Sequence, residues 1–201
     1  MASHEEIALA ATGGQCRNLS PLSAHLIVPL AMRVLLYGFG PYRQFRDNVT
    51  ARIIRSLPKQ RGLKRKIFPV CFRRRQFTDA LNRHKPAVVL GLGQSSRQQI
   101  DIETRASNRR RARITVKPRP IFRNGPKLLP TTLKIRPGRW ARISKDAGDY
   151  VCNYSMYVLL DEIARAHRNI RFGFIHIPYD WDLNKASRLV RRVLEQCARL
   201  R

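Results

Sequence analysis

One cysteine in this sequence has the surroundings of a reactive thiol. Cys152 follows the small and flexible residues of DAGDYV, and a sequence with helical spacing, NYSMYVLLDE, comes directly after it. The free N–H groups and the dipole at a helix start favour the thiolate form of a cysteine. Cysteine is also one of the most often buried residue types, so its position alone leaves a structural role open.

His176 and Glu103 could supply the other two groups that a nucleophilic cysteine requires. His176 lies in the apolar run GFIHIPY, and an imidazole can serve as a base near neutral pH. Glu103 lies in IDIETRAS, where a carboxylate inside a strand is costly unless it is paired or exposed. Such a carboxylate can orient the imidazole and stabilise its charge. The three residue types therefore predict thiol-dependent acyl transfer, provided that the fold brings them together.

The elements that would position these residues alternate between strand and helix patterns. Near-continuous apolar runs predict buried strands, and apolar residues three and four apart predict helices. The predicted order is a strand at 33–41, a helix at 49–58, a strand at 64–72, a helix at 77–86 with Thr78 as its N-cap, strands at 87–96 and 100–107, an irregular region at 115–140, a helix with Cys152 in its first turn, a strand at 170–179 and a helix at 187–200.

This alternation predicts a single α/β domain with a mixed, twisted open sheet and helices on both faces. Residues 1–31 show no sustained period, so we expect a poorly ordered extension there and the domain at 32–201. No stretch approaches the ~18–20 apolar residues of a membrane span. The four cysteines include no CxxC pair, which predicts no metal site and a reducing, cytoplasmic location.

The motifs around these residues resemble those of the pyroglutamyl peptidase I (pyrrolidone-carboxylate peptidase) family of cysteine peptidases. AGDYVCNYSMYVLLDEI and FGFIHIPY are similar to the family's nucleophile and histidine motifs. RVLLYGFGPY resembles its first strand and loop, and GQSSRQQIDIETRASN resembles its glutamate segment. The family's glycine pair after Tyr42 is replaced by Arg43 and Gln44.

The resemblance implies a phosphorylase/hydrolase-like version of this α/β fold. It also implies a Cys–His–Glu triad that removes an N-terminal pyroglutamyl residue from peptides whose N-terminus is blocked, with no cofactor. Cys152 would be the nucleophile, His176 the base and Glu103 the orienting carboxylate. Motif matching assigns substrate binding to Phe39, Tyr42, Gln94, Tyr150 and Val151.

The charge of the chain keeps a rival interpretation open. There are 40 basic and 13 acidic residues, a net charge of +27, and the arginines are spread over the whole sequence. Such a field attracts polyanions, although a general compositional bias toward arginine explains it equally well. A basic nucleic-acid-binding protein on a catalytically retired peptidase scaffold is one alternative, and an amidohydrolase with another small acyl substrate is a second. The sequence also leaves a homo-oligomer open.

A salt titration separates the enzyme from the nucleic-acid binder. A diffuse basic surface predicts weak, sequence-independent binding, whose log affinity falls by about 0.9 per neutralised phosphate for each unit of log salt on duplex DNA. We expect that binding to disappear at a few hundred millimolar salt, while hydrolysis of a small neutral substrate persists. Sequence-selective binding that survives high salt, without hydrolysis of any blocked amino acid, would favour the binder.

Overall fold

The computed structural model of the protein describes residues 33–42 and 45–199, so the expectation for 1–31 and the residues Arg43 and Gln44 lie outside it. The strands are β1 Val34–Phe39, β2 Leu63–Phe68, β3 Val88–Ser95, β4 Ile100–Glu103, β5 Arg105–Ser107, β6 Leu128–Pro130, β7 Ala141–Ser144 and β8 Arg171–Pro178. The helices are α1 Val49–Ser56, α2 Arg74–His84, α3 Val151–Arg165 and α4 Leu183–Ala198, with one 3₁₀ turn at Gly138–Trp140.

Six of the strands form a mixed sheet in the order β2-β1-β3-β8-β4-β7. The neighbouring pairs β2–β1, β1–β3 and β3–β8 are parallel. Strand β4 runs antiparallel to β8, and β7 runs parallel to β4. The short strands β5 and β6 form a separate antiparallel ribbon. The expected α/β fold with a mixed sheet is confirmed.

Two apolar layers cover the two faces of the sheet. Helices α1 and α4 pack on one face, with Ile53 and Leu189 among their buried residues. Helices α2 and α3 pack on the other face, where Phe77 and Met156 are fully buried. Among the residues that the structure describes, no helix is long and apolar enough to cross a membrane.

Several element boundaries differ from the sequence-based expectation. Thr78 is not the N-cap of α2: the helix begins one turn earlier, and Arg73 occupies the cap without a side-chain hydrogen bond. Pro69 follows directly after β2, and this strand ends at Phe68 rather than at residue 72. The run 100–107 is divided between β4 and β5, which belong to different sheets. Helix α4 begins at Leu183 because Asp182 accepts a hydrogen bond from the Lys185 N–H and caps it.

Candidate active site

Cys152 is the second residue of α3, at the end that carries free N–H groups. The first hydrogen bond of the helix runs from the Tyr154 N–H to the Tyr150 carbonyl, so the N–H groups beside Cys152 have no partner within the helix. The Cys152 side chain is half-buried and lies on the wall of a cavity. The helix start that the sequence indicates for this thiol is therefore present.

His176 and Glu103 form a buried pair next to this helix start. In the antiparallel pairing of β4 with β8, Asp101 is opposite His176 and Glu103 is opposite Phe174. Residues directly opposite share a face, so the imidazole and both carboxylates lie on the same side of the sheet. His176 Nδ1 lies 2.7 Å from Glu103 Oε1, and both side chains are almost wholly buried.

Gly93 provides the space in which the thiol and the imidazole meet. It is opposite His176 in the parallel pairing of β3 with β8. A Cβ atom on Gly93 would lie 2.7 Å from His176 Cδ2 and 2.8 Å from Cys152 Sγ, closer than real Cβ contacts. Any side chain at this position would displace one of the two groups.

The charges in this cluster favour a protonated imidazole beside an ionised carboxylate. Burial lowers the pKa of His176, but the negative charge of the Cys152 sulfur and the Glu103 carboxylate outweigh it and raise that pKa to about 9. Burial raises the pKa of Glu103, but its contact with His176, the Ser144 hydroxyl and the charge of Arg97 bring that pKa below its usual value. A protonated imidazole paired with the ionised Glu103 carboxylate follows.

A cavity of about 220 Å³ opens beside the Cys152 thiol. All five residues that motif matching assigned to substrate binding lie on its wall; their role in binding stays a prediction. Tyr42 and Tyr150 are 5.2 Å apart between ring centroids, and Gln94 Oε1 accepts the Val49 N–H at 2.9 Å. Residues that the sequence analysis did not identify also line it: Phe45, Asn48, Val70, Ser95, Ser96 and Tyr179.

Two residues that the sequence analysis did not identify, Tyr179 and Asn153, differ in how clearly the sequence signals them. Tyr179 completes the motif FGFIHIPY, and its ring lies 5.4 Å from that of Phe45, so its place in the motif was a usable signal. Asn153 gives a weaker signal, as a polar residue inside an apolar helix. Its fully buried amide accepts the Ser107 N–H and donates to the carbonyls of Ser107 and Arg109, which ties the segment after Glu103 to the start of α3.

A second, more open cleft of about 550 Å³ adjoins the first. Ser96 and Tyr179 line both spaces, and Trp181 and Lys185 lie on the outer wall. Within residues 33–42 and 45–199, no group of three or more His, Cys, Asp or Glu side chains is placed to hold a metal ion.

The contact over Gly93 can be tested through the reactivity of Cys152. An ordinary thiol is only about 0.3 % ionised at pH 6, whereas a thiolate paired with an imidazolium reacts there. We expect iodoacetamide to alkylate Cys152 faster than Cys71 and Cys197 at pH 6. Burial raises the pKa of Cys197 to about 11, which makes it an unreactive internal reference.

The substitution Gly93→Ala should slow this alkylation roughly ten- to a hundredfold, because the new methyl group separates the sulfur from the ring. Gly173→Ala is the matched control. Its Cβ would crowd Ile135 Cδ1 at 2.9 Å and Leu133 Cδ2 at 3.0 Å, away from the thiol. Equal alkylation rates for wild type and Gly93→Ala would contradict the contact.

Comparison with known proteins agrees with this geometry. The chain matches the pyroglutamyl peptidase family over residues 32–184. The pyrrolidone-carboxylate peptidase of Bacillus subtilis is 32% identical, over 73% of this chain and 78% of that protein. The enzyme of the same name from Bacillus velezensis is 39% identical over 50% of this chain and 54% of its own length, so the chain spans about half of that relative.

Solved structures give the same result. The pyroglutamyl peptidase I of Bacillus amyloliquefaciens superimposes with a TM-score of 0.75 at 27% identity, covering 84% of this chain and 96% of that one. A mutant pyrrolidone carboxyl peptidase of Pyrococcus furiosus gives a TM-score of 0.73 at 27% identity, covering 82% and 97%. A family match over most of the described domain and a shared fold lead to one conclusion: this chain belongs to the pyroglutamyl peptidase family.

Proposed function

We propose that the protein is a cysteine omega peptidase that hydrolyses an N-terminal pyroglutamyl residue from peptides. Cys152 is the nucleophile, His176 the general base and acid, and Glu103 the orienting carboxylate. The observation that carries the proposal is the meeting of Cys152 and His176 over Gly93, with Glu103 Oε1 2.7 Å from the far ring nitrogen. Family membership supports the same reaction.

The size of the cavity favours a small acyl group. At about 220 Å³ it lies below the ~300–1,000 Å³ of common ligand pockets. Phe39, Tyr42 and Tyr150 supply aromatic walls for a flat ring. Gln94 accepts the Val49 N–H through Oε1, which fixes its amide and leaves the NH₂ group to donate to a lactam carbonyl.

The first half of the reaction transfers the acyl group to the enzyme. The Cys152 thiolate attacks the carbonyl that joins the pyroglutamyl residue to the next residue, forming a C–S bond. Free N–H groups in the first turn of α3 stabilise the oxyanion. His176 donates its Nε2 proton to the departing amine, the C–N bond breaks, and a thioester remains.

The second half regenerates the thiolate. Neutral His176 takes a proton from water as the water oxygen attacks the thioester carbonyl. The C–S bond then breaks, pyroglutamate leaves, and the imidazolium–thiolate pair is restored. Glu103 holds the ring in one orientation throughout, because its Oε1 keeps the proton on Nδ1.

The open cleft gives the departing peptide a place next to the acyl pocket. Ser96 and Tyr179 lie between the two spaces, so a chain that enters the smaller pocket by its first residue continues into the larger one. Cleavage would therefore remove one residue from the N-terminus and leave the rest of the peptide intact.

A panel of blocked amino acids tests the proposal. Wild type should release a fluorogenic amine from its pyroglutamyl derivative and not from the acetyl-alanyl, prolyl or free glutamyl derivatives. Cys152→Ser should lower kcat by about 10⁴-fold or more, because a neutral hydroxyl replaces the thiolate. Cys71→Ser, at a half-buried cysteine outside the cavity wall, is the matched control and should retain activity.

The outcomes separate the alternatives. Release from a different blocked residue, lost in Cys152→Ser, would indicate an amidohydrolase with another acyl substrate. Release of the pyroglutamyl group that survives Cys152→Ser would refute the role of Cys152.

A further inference from the structure

Asp101 is a buried carboxylate that the mechanism above does not use. It is fully buried on β4, two residues before Glu103 and directly opposite His176. A buried carboxylate is stable only when it is paired. Arg97 Nη1 lies 2.6 Å from Asp101 Oδ2, and Arg142 Nε lies 2.6 Å from Asp101 Oδ1. Both contacts keep the pKa of Asp101 below its usual value in spite of burial, which alone would raise it.

Arg97 connects this carboxylate to Glu103. The same Nη1 atom that contacts Asp101 lies 3.0 Å from Glu103 Oε1. That oxygen is also the one that contacts His176 Nδ1 at 2.7 Å. The guanidinium is held further by Ser144 Oγ at 3.3 Å and by the carbonyl of Asp146, to which Nη2 donates. Two cationic groups thus share a single oxygen of Glu103.

This sharing makes the position of Arg97 critical. A guanidinium prefers to bind a carboxylate with two parallel hydrogen bonds. If Arg97 were free to do so with Glu103, it would compete directly with the imidazole. Because Asp101 holds Arg97 at Nη1, the guanidinium makes only one contact with Glu103. The negative charge of Asp101 also offsets the positive charge of the guanidinium.

We propose that Asp101 is a positioning residue of this site, which acts through Arg97 to keep Glu103 Oε1 available to the imidazole of His176. The inference rests on the triad of the proposed function. Arg142, whose side chain is 59% exposed, completes the arrangement by neutralising the outer oxygen of Asp101. The pair Asp101–Arg142 is built by the parallel register of β4 with β7.

The charges around His176 determine whether a substitution raises or lowers the pKa of its imidazole. Glu103 and Asp101 on β4 are anionic, and the Cys152 side chain on α3 is the third group beside the ring. Arg97, after β3, and Arg142, on β7, are cationic. Phe174, which packs on the imidazole, is uncharged, and burial raises the pKa of Tyr37, which packs on Phe174, far above its usual value. Removing an anion lowers the pKa of His176, and removing a cation raises it.

The substitution Asp101→Asn should therefore move the alkaline limb of kcat/KM to lower pH by about one unit. The amide keeps the shape of the carboxylate, but the charge of Arg97 then acts wholly on Glu103. We expect kcat to fall about tenfold with KM little changed, since the loss affects proton transfer rather than the acyl pocket. Arg142→Gln should move the same limb to higher pH, because it removes a cation.

A double variant and a control distinguish positioning from stability. Asp101→Asn combined with Arg97→Gln removes the competing guanidinium and should return the limb toward the wild-type pH. Asp161→Asn is the control: Asp161 is also buried, and Arg165 Nε donates to its Oδ1 at 3.0 Å on α3, outside the cavity wall. It should lower the melting temperature and leave the pH profile unchanged.

An NMR titration of the His176 ring, assigned with His176→Gln, gives a readout without substrate. Its midpoint should fall in Asp101→Asn and rise in Arg142→Gln. Midpoints that match wild type in both variants would overturn the positioning role, even if both variants are less stable. If wild type hydrolyses no pyroglutamyl derivative, the proposed function fails, while this titration still decides the role of Asp101.

Discussion

The contact between Glu103 and His176 is the interaction on which the site depends. A carboxylate buried on an interior strand is stable only when it is paired. A buried imidazole on the neighbouring strand stays protonated only when an anionic group lies beside it. Glu103 Oε1 and His176 Nδ1, 2.7 Å apart, satisfy both requirements. The start of α3 brings the Cys152 thiol to this pair, so the reactivity proposed for Cys152 rests on a charge arrangement in the sheet below it.

The mixed topology of the sheet is what makes this contact possible. In a wholly parallel sheet every strand would present its carboxyl end at the same edge. Here β4 runs against β8, so Asp101 and Glu103 lie beside the middle of the histidine strand rather than at its end. Gly93 on β3 leaves room above the sheet for the thiol, and Asn153 fixes the distance between α3 and the segment that follows β4.

The sequence indicated those candidate site residues whose signal lies in residue type and local context. Cys152, His176 and Glu103 could be selected because a helix start, an apolar strand and a strand carboxylate are each visible in a short stretch. Asp101 could not, because its position opposite His176 and its pairing with Arg142 depend on the register of β4 with its two neighbours. The N-cap at Thr78 was wrong for a related reason: buried Phe77 fixes where α2 packs, and packing overrode the capping preference.

The arginine excess of the chain gives this network a further meaning. Several carboxylates outside the site are bound by arginines, among them Asp47, Asp146, Asp149 and Glu162. An arginine within reach of a carboxylate competes for it, and a glutamate of the site faces the same competition. Glu103 forms only one contact with Arg97, because this arginine is shared with a second buried carboxylate, Asp101. Asp101 thus reconciles a strongly basic composition with a site that requires an anion facing an imidazole.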